Sequence, residues 1–251
     1  MRSRLAGVAV ALVAGAAATS FVAPVAVSAP APAAQSSAAD GCYTWGRTLS
    51  RGASGDDVRN LQIRVAGYPG RGARLAIDGQ YGPATEAAVT RFQRAYGLAA
   101  DGIAGEATFA KLYALQESDC SPANFDFSEL NNCNADWSGG KTSAAGAKAN
   151  ALVTMWKLQA MRHAMGDAPI VVNGGFRSVS CNDAVGGAPN SRHLYGDAAD
   201  LAAGSQGFCA LVLQARDHGF GEALGPGYPG HDDHVHVAGG GDVWSAPDCG
   251  M

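Results

Sequence analysis

An eight-residue pattern that occurs twice constrains the fold of this 251-residue chain more than any other feature. Residues 78–85 and residues 101–108 both read D-G-x-x-G-x-A-T, 23 positions apart. In each copy Asp-Gly favours a turn, the second glycine frees the backbone, and the following residues open a helix. Two copies are too few for a solenoid, which needs about three repeats. The pattern therefore predicts two similar turn-and-helix units within a small helical module.

Apolar residues at helical spacing predict three helices in this module. The first carries Val58 and Leu61, with Ser54 as a candidate N-terminal cap. The second begins at Pro83, because a proline in the first turn sacrifices no hydrogen bond, and the third begins at Glu106.

The segment before the module predicts export. Residues 1–39 contain no acidic residue, two arginines near the start and an apolar run over residues 5–18. These are the features of a secretory signal peptide, here followed by a short spacer. A membrane anchor is the alternative, but the run is short, rich in alanine and glycine, and followed by Pro24. Cleavage after Ala39 is favoured over cleavage after Ala29, which a proline follows.

The net charge of the mature chain disfavours two classes of binding partner. The formal charge of −4 becomes −6 when Arg2 and Arg4 are removed with the signal peptide. So acidic a chain binds nucleic acid and anionic membranes poorly. We expect the mature protein to be secreted and extracellular, to have no nucleic-acid or membrane partner, and to be a monomer.

An even number of cysteines in an exported chain predicts three disulfides. The six are Cys42, Cys120, Cys133, Cys181, Cys209 and Cys249. A thiolate metal site is disfavoured because no two lie at C-x-x-C spacing. Fifteen pairings are possible, and pairing in chain order is favoured because it keeps one loop around each apparent segment.

The second half of the chain alternates helical and strand patterns. Residues 144–165 read as a long helix, residues 169–172 as a short strand, and residues 208–215 as another helical stripe. The predicted fold class is therefore α+β: a small three-helix module over residues 40–121, followed by an α+β domain over residues 122–251.

Two histidine clusters in this second domain predict a metal site. In the first, His193 and Asp200 are separated by six residues, and Gly196 between them allows a sharp backbone path. The second reads H-D-D-H-V-H over residues 231–236. Neutral imidazoles with one carboxylate suit Zn²⁺, and three protein ligands leave a position for water. The pattern thus predicts one zinc ion per chain and metal-assisted hydrolysis.

The alternation of residues 234–237 predicts a half-buried strand on which His234 and His236 face the same side. We assign His236 as the third ligand and His234 as its neighbour, although spacing alone does not separate them. Peptide hydrolysis also needs a general base, and His231 and Asp233 are both candidates.

Arg177 follows a Gly-Gly-Phe turn. Its planar guanidinium suits a substrate carboxylate, and a structural ion pair is an equal alternative.

The helical module and the metal-site motifs each resemble a known protein family. The repeated turns, with the Leu61-Gln62 and Phe92-Gln93 helices, resemble the bacterial peptidoglycan-binding domain, which implies a three-helix fold that binds cell-wall glycopeptide.

The motifs S-x-H-x₆-D, G-F-R and H-x-x-H-x-H resemble the secreted zinc D-alanyl-D-alanine carboxypeptidases of actinomycetes. This second resemblance implies the following roles: zinc ligands His193, Asp200 and His236, catalytic His231, substrate-binding Arg177, and Ser191 and His234 beside the ligands.

One departure and three alternatives remain. The related D-Ala-D-Ala dipeptidases place a glutamate three residues before the last zinc ligand, where this chain has Asp233, so the choice between His231 and Asp233 as base stays open.

An endopeptidase of the same fold would cut cross-bridges instead. A non-catalytic wall-binding protein with a structural zinc would need a fourth ligand, such as His234. A serine carboxypeptidase is disfavoured, because Gly139-Gly140 within its S-x-x-K match opposes the required helix.

Overall fold

The computed structural model describes residues 42–131 and 133–251, which lie within one compact unit. The predicted signal peptide, spacer and cleavage site lie outside the described residues. Within the described part of the chain, none of the helices combines the length and the hydropathy that a bilayer span requires.

The first half forms the predicted three-helix module. Its helices are α1 (Asp56–Arg64), α2 (Pro83–Ala95) and α3 (Glu106–Ala114). Their apolar faces meet around Leu61, Phe92 and Leu112, which are almost fully buried. Ser54 does not cap α1: the capping position is Gly55, and Ser54 instead forms a β-bridge with Gln80. The backbone bridge to the repeated turn thus replaces the predicted side-chain cap.

Each copy of the repeated pattern is organised by one buried glutamine. The Gln62 amide donates to Asp78 Oδ1, Gln80 O and Thr85 Oγ1 at 2.9–3.0 Å, and its oxygen accepts from Gly79 N at 2.8 Å. Gln93 makes the same contacts with Asp101, Ile103, Thr108 and Gly102 at 2.9–3.1 Å. The repeated motif therefore satisfies its own buried polar groups and determines the turn before each helix.

The second half is the predicted α+β domain. Its helices are α4 (Ala144–Ala164), α5 (Val179–Ala184) and α6 (Phe208–Asp217). Its strands are β1 (Val172–Gly174), β2 (Ala198–Leu201), β3 (Glu222–Leu224), β4 (Val235–Ala238) and β5 (Val243–Ser245). They form one sheet in the order β1-β2-β4-β3-β5, antiparallel except for β3 and β5. The strand predicted over residues 169–172 begins only at Val172, where pairing with Leu201 starts.

The six cysteines pair in chain order. The bridges join Cys42 to Cys120, Cys133 to Cys181, and Cys209 to Cys249. The first closes the helical module, and the third ties α6 to the C-terminal end of the chain.

Two histidines outside the predicted metal site join the module to the second domain. His163, near the end of α4, stacks on Tyr96 with ring centroids 4.2 Å apart. His218, which follows α6, donates from Nδ1 to the Gly67 carbonyl at 2.8 Å. Both histidines therefore support the contact between the two halves.

Candidate active site

Strand alternation gives the sheet one face toward the helices and one toward a cleft. Ala199 and Val237 belong to the core beneath α4 and α6. Their neighbours Asp200 and His236 therefore point to the opposite face. Because β2 and β4 pair with Asp200 directly opposite His236, the strand register alone brings these two side chains together.

His193 reaches the same point from a short 3₁₀ helix, Arg192–Tyr195, that precedes β2. Gly196 ends this helix with φ of 78°, in the left-handed region, and a side chain there would collide with the backbone of Ala147. A glycine is therefore required for the sharp turn that places His193 over Asp200.

Three donor atoms converge in this buried position. His193 Nε2 lies 3.1 Å from Asp200 Oδ1 and 3.1 Å from His236 Nδ1, and His236 Nδ1 lies 3.0 Å from Asp200 Oδ1. All three residues are more than nine-tenths buried. Two imidazole nitrogens and one carboxylate oxygen form a ligand set that suits Zn²⁺. Within the described residues no other set of three such side chains converges in this way.

The remaining ring nitrogens of the two histidines have acceptors of different kinds. His193 Nδ1 donates to the carbonyl of Gly175 at 2.6 Å, which fixes its tautomer because a carbonyl only accepts. His236 Nε2 lies 3.2 Å from Glu222 Oε1. Glu222 is not among the residues predicted from the sequence, where its only signal is an acidic residue beside Ala223 and Leu224 in a short apolar segment.

The two histidines hold protons differently. Burial lowers the pKa of His193, so its Nε2 presents a lone pair. Burial also opposes charge on His236, but hydrogen bonds to Asp200 and Glu222 outweigh it and raise its pKa to about 9. Burial would raise the pKa of Asp200, yet the two histidines hold it well below its usual range. Zinc held by these residues would require His236 to give up a proton, because a ligating imidazole must be neutral.

Arg177 contacts the metal-site carboxylate directly. Its Nη2 donates to Asp200 Oδ2 at 2.6 Å, on the side away from the histidines. The Gly174 position has no side chain, and a Cβ there would lie 3.3 Å from that same oxygen. The predicted substrate-binding arginine thus forms the ion pair that was its alternative role, and one of its five N–H groups is engaged.

The two candidate bases differ in where they lie. His231 lines the cleft, with its ring centroid 5.9 Å from that of His236. Its Nδ1 donates to the Pro229 carbonyl at 3.0 Å, which leaves Nε2 free to accept a proton. Burial, followed by the neighbouring His234 and His236, lowers the pKa of His231, although its bond to Pro229 acts the other way. The side chain of Asp233 is 91% exposed and contacts His234 Nδ1 at 2.7 Å.

His234 and Ser191 also line the cleft. His234 Nε2 lies 3.8 Å from Asp200 Oδ1 and remains outside the set of converging donor atoms. A closed site with a fourth protein ligand is therefore disfavoured among the described residues. Ser191 lies two residues before His193, at the start of the 3₁₀ helix, where its carbonyl accepts from Leu194 N.

The cleft has a volume of about 650 Å³, which suits a peptide end rather than an ion alone. A second arginine, Arg192, lines it but pairs with Asp197 and lies over the Tyr195 ring. Arg177 is therefore the cleft arginine with the fewer of its donors engaged.

Comparison with known proteins places both halves. Residues 123–238 match the Peptidase M15 family, and residues 54–112 match a peptidoglycan binding domain family. The chain is 73% identical over 235 residues to "Zinc D-Ala-D-Ala carboxypeptidase" from Streptomyces albus G, covering 91% of this chain and 92% of that protein.

Two N-acetylmuramoyl-L-alanine amidases match a stretch of this chain about as long as the match to the peptidoglycan binding domain family. "N-acetylmuramoyl-L-alanine amidase CwlL" from Bacillus licheniformis is 51% identical over 65 residues, which are 24% of this chain and 18% of that protein. "N-acetylmuramoyl-L-alanine amidase CwlM" from Mycobacterium tuberculosis is 45% identical over 64 residues, 24% of this chain and 14% of that protein. The Peptidase M15 match includes His193, Asp200 and His236. With 73% identity over 91% of its length, this chain belongs to the Peptidase M15 family of zinc D-Ala-D-Ala carboxypeptidases.

Proposed function

We propose that this protein hydrolyses the terminal D-alanyl-D-alanine bond of peptidoglycan stem peptides and releases D-alanine. The observation that carries the proposal is the full-length identity of 73% to a zinc D-Ala-D-Ala carboxypeptidase. The buried His193, Asp200 and His236 cluster at the floor of a peptide-sized cleft supports it.

The cofactor is one Zn²⁺ per chain, which His193, Asp200 and His236 would hold. When bound, zinc supplies Lewis-acid polarisation of the scissile carbonyl and lowers the pKa of water. The remaining chemistry requires a group that takes a proton from the attacking water and returns it to the leaving amine.

His231 is our proposed proton carrier. Its Nδ1 donates to the Pro229 carbonyl, so the proton is accepted and returned at Nε2. Its lowered pKa keeps the imidazole neutral and able to accept near neutral pH. Asp233 acts through His234, because it orients that ring from the solvent side.

Arg177 is our proposed receptor for the terminal carboxylate of the substrate. One N–H group holds Asp200, and the guanidinium, which lines the cleft, has further donors for a substrate oxygen. The arginine would then link the terminal carboxylate to the zinc ligand across a single planar group.

An endopeptidase that cuts cross-bridges is the second candidate, because the bond from Arg177 to Asp200 gives this arginine a role that needs no substrate carboxylate. The test compares an acylated peptide ending in D-Ala-D-Ala with the same peptide amidated at its C-terminus. We expect fast cleavage of the free acid, loss of activity with a chelator, recovery with zinc, and no inhibition by penicillin. Preference for the amide would favour the endopeptidase, and no turnover of either would leave a wall-binding protein.

The helical module, over residues 40–121, is proposed to hold the enzyme on the extracellular cell wall as a secreted monomer. The match of residues 54–112 to a peptidoglycan binding domain family supports this proposal. Because the repeated-turn residues bond to one another, we place wall binding on other surfaces of the module. Sedimentation of the whole protein with purified cell walls tests it, with chelated protein as the catalytically silent form. Recovery in the supernatant would contradict it.

A further inference from the structure

Glu222 contacts the metal site from the side opposite to Arg177. Its Oε1 lies 3.2 Å from His236 Nε2, the ring nitrogen that faces away from His193 and Asp200. A neutral imidazole carries one proton, and the acceptor beside one nitrogen decides which nitrogen keeps it. A carboxylate at Nε2 therefore leaves the lone pair at Nδ1, on the side of the other two zinc ligands.

The sheet register places Glu222 there. In the antiparallel β3–β4 pair, Leu224 lies opposite His236 and Glu222 lies opposite Ala238. Glu222 is thus the diagonal neighbour of His236 on the same face, within reach of a long side chain. Gly241 leaves the space that the carboxylate needs, because a side chain at that position would collide with it.

We propose that Glu222 is a positioning residue for zinc, which holds His236 in the Nδ1-ligating tautomer and offsets part of the positive charge of the site. This inference rests on the proposed zinc hydrolase function. Outer carboxylate partners of ligating histidines orient the ring and raise its basicity.

The charges around the site support this role. Zinc and Arg177 bring three positive charges, and Asp200 brings one negative charge. Glu222 adds a second negative charge in a half-buried position, with 21% of its side chain exposed, where water screens charge less than it does at the surface. The corresponding partner of His193 is the backbone carbonyl of Gly175, which a substitution does not remove. Glu222 is a side chain, so mutation can test its contribution.

The test compares Glu222→Ala, which removes the acceptor, with Glu222→Gln, which keeps an acceptor oxygen but loses the charge. The zinc Kd is measured by competition with a chelating indicator, and the His236 tautomer by ¹⁵N NMR. We expect Glu222→Ala to weaken zinc binding about 10- to 100-fold and to mix the tautomers. Glu222→Gln should weaken binding less and keep the tautomer.

Asp242→Asn is the control, because this exposed acid pairs with Arg74 and contacts none of the ligands. It should keep the wild-type zinc Kd. If Glu222→Ala does not fold, the near-isosteric Glu222→Gln decides. A wild-type zinc Kd in the folded Glu222 variants would overturn the positioning role, even when KM changes, and would assign Glu222 to the substrate. Failure of the wild-type protein to bind zinc would instead overturn the proposed function.

Discussion

Arg177 and Asp200 are joined by a hydrogen bond of 2.6 Å, made by the carboxylate oxygen that faces away from His193 and His236. The same carboxylate therefore contacts the metal site with one oxygen and the arginine with the other. A substitution of Arg177 should therefore change both the affinity for zinc and the kinetics on the substrate.

Arg177→Lys should lower kcat/KM on a D-Ala-D-Ala peptide by roughly 10- to 150-fold. Lysine keeps the charge but loses the planar fork, and hydrogen bonds to charged groups contribute about 1.5–3 kcal/mol each. Zinc affinity should fall as well, because Asp200 loses its oriented partner. The measurements are steady-state kinetics on the free-acid and amidated peptides, with a zinc titration of each protein.

The matched control is Arg162→Lys, an arginine paired with Asp167 away from the cleft, which should leave these constants unchanged. Equal losses on the free-acid and amidated peptides would assign Arg177 to the metal site alone.

His231→Gln should lower kcat by about 10²- to 10⁴-fold, the usual contribution of a general base, without loss of zinc. Asp233→Asn should cost less than tenfold, because this carboxylate is exposed and reaches the site only through His234. Steady-state kinetics and metal analysis of the two variants show which substitution lowers kcat more. A larger loss for Asp233→Asn would make it the base.

Gln62→Ala should destabilise the module by roughly 3 kcal/mol. The change removes four hydrogen bonds, and each buried polar group left unpaired costs about 1–3 kcal/mol. Wall binding by the folded variant should persist, since the amide is buried. Urea unfolding and wall sedimentation measure the two effects, and Arg59→Ala on the exposed face of α1 is the control. If the variant kept full stability but lost wall binding, the repeated turn would contact the cell-wall ligand directly.

Lys157 should make stability depend on alkaline pH. Burial lowers its pKa from 10.5 to about 8, although Asp197 acts the other way. Between these values the unfolded chain binds the proton and the native protein does not, so stability rises with pH. The gain is roughly 3 kcal/mol at 1.36 kcal/mol per pKa unit.

Lys157→Met, which keeps the apolar contact near Phe220, should lack this rise. Urea unfolding of both proteins between about pH 7 and pH 10.5 measures the difference. Parallel pH profiles would show that Lys157 keeps its ordinary pKa in the native protein.

The sequence by itself determined the features that depend on neighbours along the chain. The repeat and the helical spacing predicted α2 and α3, and the spacing of His193 and Asp200 around Gly196 predicted a sharp turn. Each follows from local backbone preferences. The resemblance to zinc carboxypeptidases, confirmed by the full-length match, added the function.

Only the tertiary structure decided which partners the site residues have. The pairing of Asp200 with His236, the contact of Glu222 with His236, and the bond from Arg177 to Asp200 all cross between strands or loops. Asp233 and His231 lie two residues apart, yet one faces solvent and the other the cleft. Strand register and loop path set these contacts, and a shift of one residue would reverse which side chains face the zinc.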